Sequence, residues 1–277
     1  MNRLLLCTDL DRTLIPNGHQ PESPHARDLF SRLMQNSGIK LAYVSGRHLA
    51  LIEQAMDEYR LPTPDFIIAD VGSTIYRQEQ NQWHQWQAWD DEIAGDWQGR
   101  SHESLRKLLT TYPDLQLQET EKQNAHKLSY YLPLHLNHLG VISDIQSCLE
   151  HENIQANLIW SIDELQNIGL LDILPASANK LHAINFLMQQ EKFDPKHTVF
   201  AGDSGNDLDV LLSPVQSVLV ANADPEVRTA VKSASPDNLF IAKGDFLNMN
   251  GNYSAGILEG IAHYRPELLP VMEGLQA

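Results

Sequence analysis

Short apolar runs alternate with amphipathic stretches through the first third of the chain. Arg3 to Thr8 reads as a buried strand, and Ile39 to Val44 and Phe66 to Ala69 as two more. Between them, Leu29, Phe30, Leu33 and Met34 recur at helical spacing behind Ser23 and Pro24, which predicts a helix with Ser23 as its cap. Leu49, Ile52, Ala55, Met56 and Tyr59 mark a second helix from His48. Strand–helix–strand units of this kind predict a parallel sheet covered on both faces.

From about Ile75 the pattern changes. Residues 78–102 are rich in Trp, Gln, Asp and His. An amphipathic helix with Leu105, Leu108 and Leu109 follows, then an alternating strand from Lys127 to Leu132 and a helix from Leu139 to Leu149. Two strands come next, near Ile154 to Trp160 and Gly169 to Leu174, which together suggest an α+β unit. After Pro175 the alternation returns, with strands at Thr198 to Ala201, Ser217 to Ala221 and Leu239 to Ala242 between helices. The expected fold is a doubly wound, Rossmann-like α/β core at 1–78 and 175–277, with an inserted α+β domain at 79–174. Residues 266–277, with Pro266 and Pro270, read as a short tail.

Composition narrows the function classes. The net charge of −16 repels nucleic acid and anionic membrane, and no basic block offsets it. An anionic substrate would need local cations. No apolar run approaches the ~20 residues that span a bilayer. The start does not read as a secretory signal, so a cytoplasmic chain is expected, with Cys7 and Cys148 as free thiols. The sequence has no zinc-ligand spacing, no phosphate loop, no dinucleotide fingerprint and no Gly-x-Ser-x-Gly. Trp83, Trp86 and Trp89 are spaced by three, a pattern that fits a buried core better than a sugar-stacking platform.

Polar clusters fall where open α/β sheets carry their sites, beyond the carboxyl ends of strands. Asp9-Leu10-Asp11-Arg12-Thr13 follows the first strand. Two acids this close, at the end of a buried strand, repel each other unless a cation joins them. Ser45-Gly46-Arg47 follows the second strand and opens a helix, a suitable anion site. Gly202-Asp203-Ser204-Gly205-Asn206-Asp207 offers two carboxylates from one tight loop, the oxygen donors that Mg²⁺ prefers. Lys180 begins a predicted helix. Each piece alone also fits an ordinary turn, cap or solvated side chain. Their joint occurrence, in order and in context, is what points to chemistry.

In these motifs the chain resembles the haloacid-dehalogenase-like phosphohydrolases. It is most similar to the sucrose-phosphate phosphatases, through Val71-Gly72-Ser73, His126-Lys127-Leu128-Ser129-Tyr130, Asp172-Ile173-Leu174-Pro175 and Ala255 to Ile261. Leu181 stands where the family usually has glycine. The resemblance implies an Mg²⁺-dependent hydrolysis of sucrose 6-phosphate. Asp9 would be the nucleophile and Asp11 the general acid and base. Thr13, Ser45, Lys180 and Asn206 would bind phosphate, and Asp9, Asp11 (through its carbonyl), Asp203 and Asp207 would surround the metal. The inserted domain would act as a cap, with Arg47, Gly72, Ser73 and Lys127 facing the sugar. Other glycosyl phosphates remain open as substrates, namely mannosyl-3-phosphoglycerate, trehalose 6-phosphate and glucosylglycerol phosphate. So does a non-catalytic module that partners a glycosyltransferase.

Overall fold

The computed structural model describes residues 3–163 and 166–276. It begins with β1 (Leu4–Thr8), α1 (Ala26–Leu33), β2 (Ile39–Val44), α2 (Leu49–Tyr59) and β3 (Phe66–Ala69). These elements form because each strand is a mainly apolar run, broken only by Thr8 and Lys40, and each helix has one apolar stripe. Every side chain of β1 and β3 is buried, and α1 turns Ala26, Leu29, Phe30 and Leu33 inward. Residues 74–85, polar enough to hide their pairing, form β4 (Thr74–Glu79) and β5 (Gln82–Gln85). The two-residue turn between them places both Gln80 and Asn81 at positive φ, the twist that tight hairpins favour.

The second unit follows with α3 (Gln87–Ala94), α4 (His102–Leu108), β6 (Gln116–Leu117), β7 (Leu128–Leu132), α5 (His138–His151), β8 (Ala156–Asp163) and β9 (Ile168–Pro175). Its antiparallel sheet has the order β6-β7-β9-β8. Trp97, Leu105, Leu128, Tyr130, Ile145, Leu149 and Leu171 are among the residues of its core. Trp86 and Trp89 are also buried while Trp83 is half-buried, so two of the three evenly spaced tryptophans build core.

The chain then continues through α6 (Lys180–Glu191), β10 (Thr198–Gly202), α7 (Leu208–Leu211), β11 (Gln216–Leu219), α8 (Pro225–Ala234), β12 (Leu239–Ile241), α9 (Ser254–Tyr264) and α10 (Leu269–Gln276). The large sheet has the order β12-β11-β10-β1-β2-β3-β4-β5, and the pairs from β12 to β3 are all parallel. The fold is therefore α/β and doubly wound. The strand order reverses between β1 and β10, the place where such sheets open a crevice beyond their carboxyl ends. The chain divides into two compact units: Met1–Gly72, Tyr76–His84 and Lys180–Ala277 form one, and Ser73–Ile75 and Gln85–Asn179 the other. No helix among the described residues is long and apolar enough to cross a membrane.

Two local expectations fail. Ser23 does not cap α1: the helix starts at Ala26 behind His25 in a left-handed conformation, with no side-chain cap. Ser23 Oγ instead accepts from the Asn250 N–H at 2.9 Å, a tertiary bond that replaces the local one. The expected tail folds as α10, with Met272 fully buried and the helix packed on α1; residue 277 lies outside the described residues.

Candidate active site

The strand β1 delivers Asp9 to the crevice. The Thr8 hydroxyl donates to the Asp9 carbonyl at 2.8 Å, and the Asp9 N–H donates to Ala201 O at 2.9 Å, so the residue is fixed against β10. The loop then turns tightly, with the N–H groups of Leu14 and Ile15 both donating to Leu10 O. Arg12 sits at φ 58° within this turn. Its N–H donates to Asn17 Oδ1 at 2.8 Å, and its carbonyl accepts from Asn222 Nδ2 at 2.6 Å.

The loop after β10 faces the same point. Asp9, Asp203 and Asp207 are all buried, and each offers a carboxylate oxygen within 4.8 Å of the others. Asp207 folds back on its own loop, where its Oδ2 accepts from the N–H groups of Asp203 (3.0 Å) and Ser204 (3.1 Å). Gly202 makes this possible, because a Cβ there would meet the Asp207 carboxylate at 2.6 Å. Lys180, the first residue of α6 and 2% exposed, ties the pieces together. Its Nζ donates to Asp207 Oδ1 at 2.7 Å, Asp9 Oδ1 at 3.0 Å and Asn206 Oδ1 at 3.1 Å. Thr13 Oγ1 donates to Asp203 Oδ1 at 3.0 Å. The structure thus brings Asp9, Thr13, Lys180, Asp203, Asn206 and Asp207 into one hydrogen-bonded cluster.

The cluster is short of positive charge. Three carboxylates share one buried ammonium, and removal from water disfavours every ionised acid. Burial, reinforced by Asp207 and Asp203 and opposed by Lys180, pushes Asp9 up to about 8. Burial and the Asp207 charge raise Asp203 to about 6, against the Thr13 hydrogen bond and Arg12. Burial alone would lower Lys180, but the charges of Asp207 and Asp9 outweigh it and raise it. Asp203 Oδ2 is buried and accepts no hydrogen bond. An oxygen left over in this way, beside two further carboxylates, fits a hard divalent cation such as Mg²⁺.

A pH-dependent result follows. Both acids have folded values above the ordinary range near 4, so the fold holds protons that the unfolded chain has lost. The stability they contribute falls as pH rises from about 4 towards 6 for Asp203 and towards 8 for Asp9. A divalent cation must displace those protons. Mg²⁺ should therefore bind more tightly at pH 8 than at pH 6 and release protons on binding at pH 7. Calorimetry in two buffers of different ionisation enthalpy checks this; equal heats in both would count against it.

Asp11 is held apart from the cluster's hydrogen bonds. Arg47 grips its carboxylate at both oxygens (2.6 and 2.8 Å), and Asn17 Nδ2 adds a third bond at 2.6 Å. Burial pushes Asp11 up, but Arg47 and Asn17 together prevail and hold it below the usual carboxylate value. Ser45 is buried at the end of β2, where its Oγ accepts from the Arg47 N–H at 3.2 Å. A turn with positive φ at Asp70, Val71 and Gly72 is tied to this loop, since Asp70 N–H donates to Arg47 O and Val71 N–H to Ser45 O. In the second unit, Ser73 Oγ accepts from Asn124 Nδ2 at 3.2 Å. Lys127 is buried there with its Nζ 3.9 Å from Asp172 Oδ2. Sequence reasoning missed the parts played by Arg12, Asn17 and Asn222. Asn222 lies just beyond a strand's carboxyl end, which was the available signal.

Acids from two different strands, meeting over one lysine at the reversal of a doubly wound sheet, are the arrangement of haloacid-dehalogenase-like phosphohydrolases. Comparison with known proteins agrees and is narrower: the sucrose-6F-phosphate phosphohydrolase family profile matches residues 2–265, and the chain belongs to that family. A Nitrosococcus oceani protein named as a HAD-like hydrolase is 56% identical over 275 residues, covering 98% of this chain and 74% of that one. The mannosylfructose-phosphate phosphatase of Agrobacterium fabrum is 28% identical over 94% of this chain and 96% of its own. The Synechocystis sucrose-phosphatase, solved with sucrose and phosphate, superposes with a TM-score of 0.72 at 26% identity, covering 95% of this chain and 98% of that one. The chain is a phosphoric monoester hydrolase of the sucrose-phosphatase type.

Proposed function

We propose that the chain hydrolyses sucrose 6-phosphate to sucrose and phosphate through an aspartyl-phosphate on Asp9. The observation that carries the chemistry is the buried cluster of Asp9, Asp203 and Asp207 around Lys180. Asp9, Asp203 and the Asp11 carbonyl would hold Mg²⁺, with Asp207 bracing Lys180 and the loop beside them. Bound there, the cation offsets the charge on the acids and on the transferring phosphoryl group.

The Asp9 carboxylate attacks phosphorus, and the bond to the sugar oxygen breaks. Asp11 gives its proton to that oxygen, and sucrose leaves. Asp11 then takes a proton from a water molecule as it attacks the phosphoryl group, which frees phosphate and restores Asp9. Asp11 serves this cycle only after giving up part of its grip on Arg47 and taking up a proton, because in the structure three donors occupy its oxygens and favour the ionised form. Thr13, Ser45, Lys180 and Asn206 steady the phosphoryl oxygens. The second unit would act as the cap that reads the sugar, and Arg47, Gly72, Ser73 and Lys127 are the residues proposed to contact it.

Mannosylfructose phosphate is the second reading, favoured by 28% identity across nearly all of the Agrobacterium enzyme. Phosphate release is measured with Mg²⁺ and with a chelator. The panel is sucrose 6-phosphate, mannosylfructose phosphate, trehalose 6-phosphate, mannosyl-3-phosphoglycerate, glucosylglycerol phosphate and glucose 6-phosphate. The expected result is Mg²⁺-dependent release with the highest kcat/KM on sucrose 6-phosphate. Preference for mannosylfructose phosphate would move the substrate and keep the chemistry. Chelator-insensitive release would remove the metal.

A further inference from the structure

We infer that Arg12 is an internal competitor for the metal site: its guanidinium stands against the one Asp203 oxygen left for a cation, and so sets how much Mg²⁺ the protein needs. The inference rests on the metal reading above. Arg12 Nε lies 3.4 Å from Asp203 Oδ2, the oxygen that accepts no hydrogen bond. A cation on that oxygen meets the Arg12 charge whether the guanidinium stays or swings away. Either way part of the binding energy is spent on it.

The position of Arg12 supports a purpose for its side chain. At φ 58° a residue with a Cβ is strained relative to glycine. The backbone is held there independently of the side chain, by Asn17 on the N–H and Asn222 on the carbonyl. Glycine or asparagine would suit this turn better, so conformation does not account for an arginine. Its charge does, because the cluster has three acids and one buried lysine.

The arrangement has a cost and a use. The cost is a weaker hold on Mg²⁺. The use is that Asp203 is never without a counter-charge, which limits repulsion among the acids when the cation leaves. Arg12 is 41% exposed and Asp203 1%, so solvent screens the pair in part and the effect is moderate.

The test uses the full chain and four variants, Arg12→Asn, Arg12→Lys, Asp203→Asn and, as a charge control far from the acids in sequence and on the outer side of α1, Arg32→Asn. Asparagine tolerates positive φ, so Arg12→Asn keeps the turn. The Kd for Mg²⁺ is read by calorimetry and by the Mg²⁺-dependent shift in Tm, neither of which needs turnover. The expected result is binding about three- to tenfold tighter in Arg12→Asn than in Arg32→Asn, from removal of one charge beside the ligand oxygen. Arg12→Lys should fall between Arg12→Asn and the wild type. Binding in Arg12→Asn equal to the control, or weaker, would overturn the role of Arg12 while the metal site stands. Wild-type protein that binds no Mg²⁺, or binds it as well as Asp203→Asn does, would overturn the metal reading and this inference with it.

Discussion

Asp9→Asn loses turnover by about four orders of magnitude or more, the scale on which removing a covalent nucleophile acts, and keeps its fold. Asparagine cannot form the acyl phosphate that the proposed cycle requires. It can still accept the Lys180 hydrogen bond that Asp9 Oδ1 takes at 3.0 Å. Stability separates this prediction from simple damage. Ionised Asp9 is disfavoured by its burial and by Asp207 and Asp203, which is why its value rises to about 8. A neutral amide removes that repulsion, so Asp9→Asn should match or exceed the wild-type Tm at pH 8 without Mg²⁺. At pH 5 wild-type Asp9 is itself largely protonated, and the two proteins should converge. Phosphate release and thermal melts at both pH values check the pair of outcomes. Near-normal turnover would refute the nucleophile, and a large loss of Tm at pH 8 would refute the charge argument.

The core was readable because its strands are short apolar runs that stop at acids. Leu4–Thr8 ends at Asp9 and Thr198–Gly202 at Asp203, and in a parallel sheet those ends share one edge. The cluster around Lys180 therefore follows from order along the chain plus the rule that sites lie beyond strand carboxyl ends. Pairings that depend on tertiary distance were not readable. Nothing in the spacing of Asp11 and Arg47 says that the arginine takes both carboxylate oxygens. Ser23 followed by Pro24 has the local form of a helix start, but a bond from Asn250 redirects the serine. The β4–β5 hairpin escaped notice because it is polar and turns without glycine. Residues 266–277, with Pro266 and Pro270, read as a tail, yet Pro270 lies in the first turn of α10, where a missing N–H costs nothing. Arg12 was passed over because a side chain's direction depends on backbone φ, which no residue type announces.

Lys180→Met should be the most destabilising single change in the site. It keeps most of the side chain's volume and removes the only ammonium that bonds to Asp9 and Asp207 among the described residues. Breaking a buried ion pair by deleting one partner typically costs about 3–5 kcal/mol, because the remaining charges stay buried and uncompensated. Here two carboxylates are left, with Asp203 beside them. The loss should depend on pH in a definite direction. Asp9 and Asp203 already stand at about 8 and about 6 with the lysine present, and without it both rise further. Acids raised in the fold are favoured when protonated, so the penalty is greatest at pH 8 and shrinks as pH falls through those values. Saturating Mg²⁺ at pH 8 should restore part of the stability by supplying charge to the same oxygens. It should not restore turnover, since Lys180 also steadies the phosphoryl oxygens in the proposed cycle. Denaturant titrations at pH 5 and pH 8, with and without Mg²⁺, give all four values. A loss of equal size at both pH values would mean that Lys180 acts by packing, and that the acids around it are not short of charge.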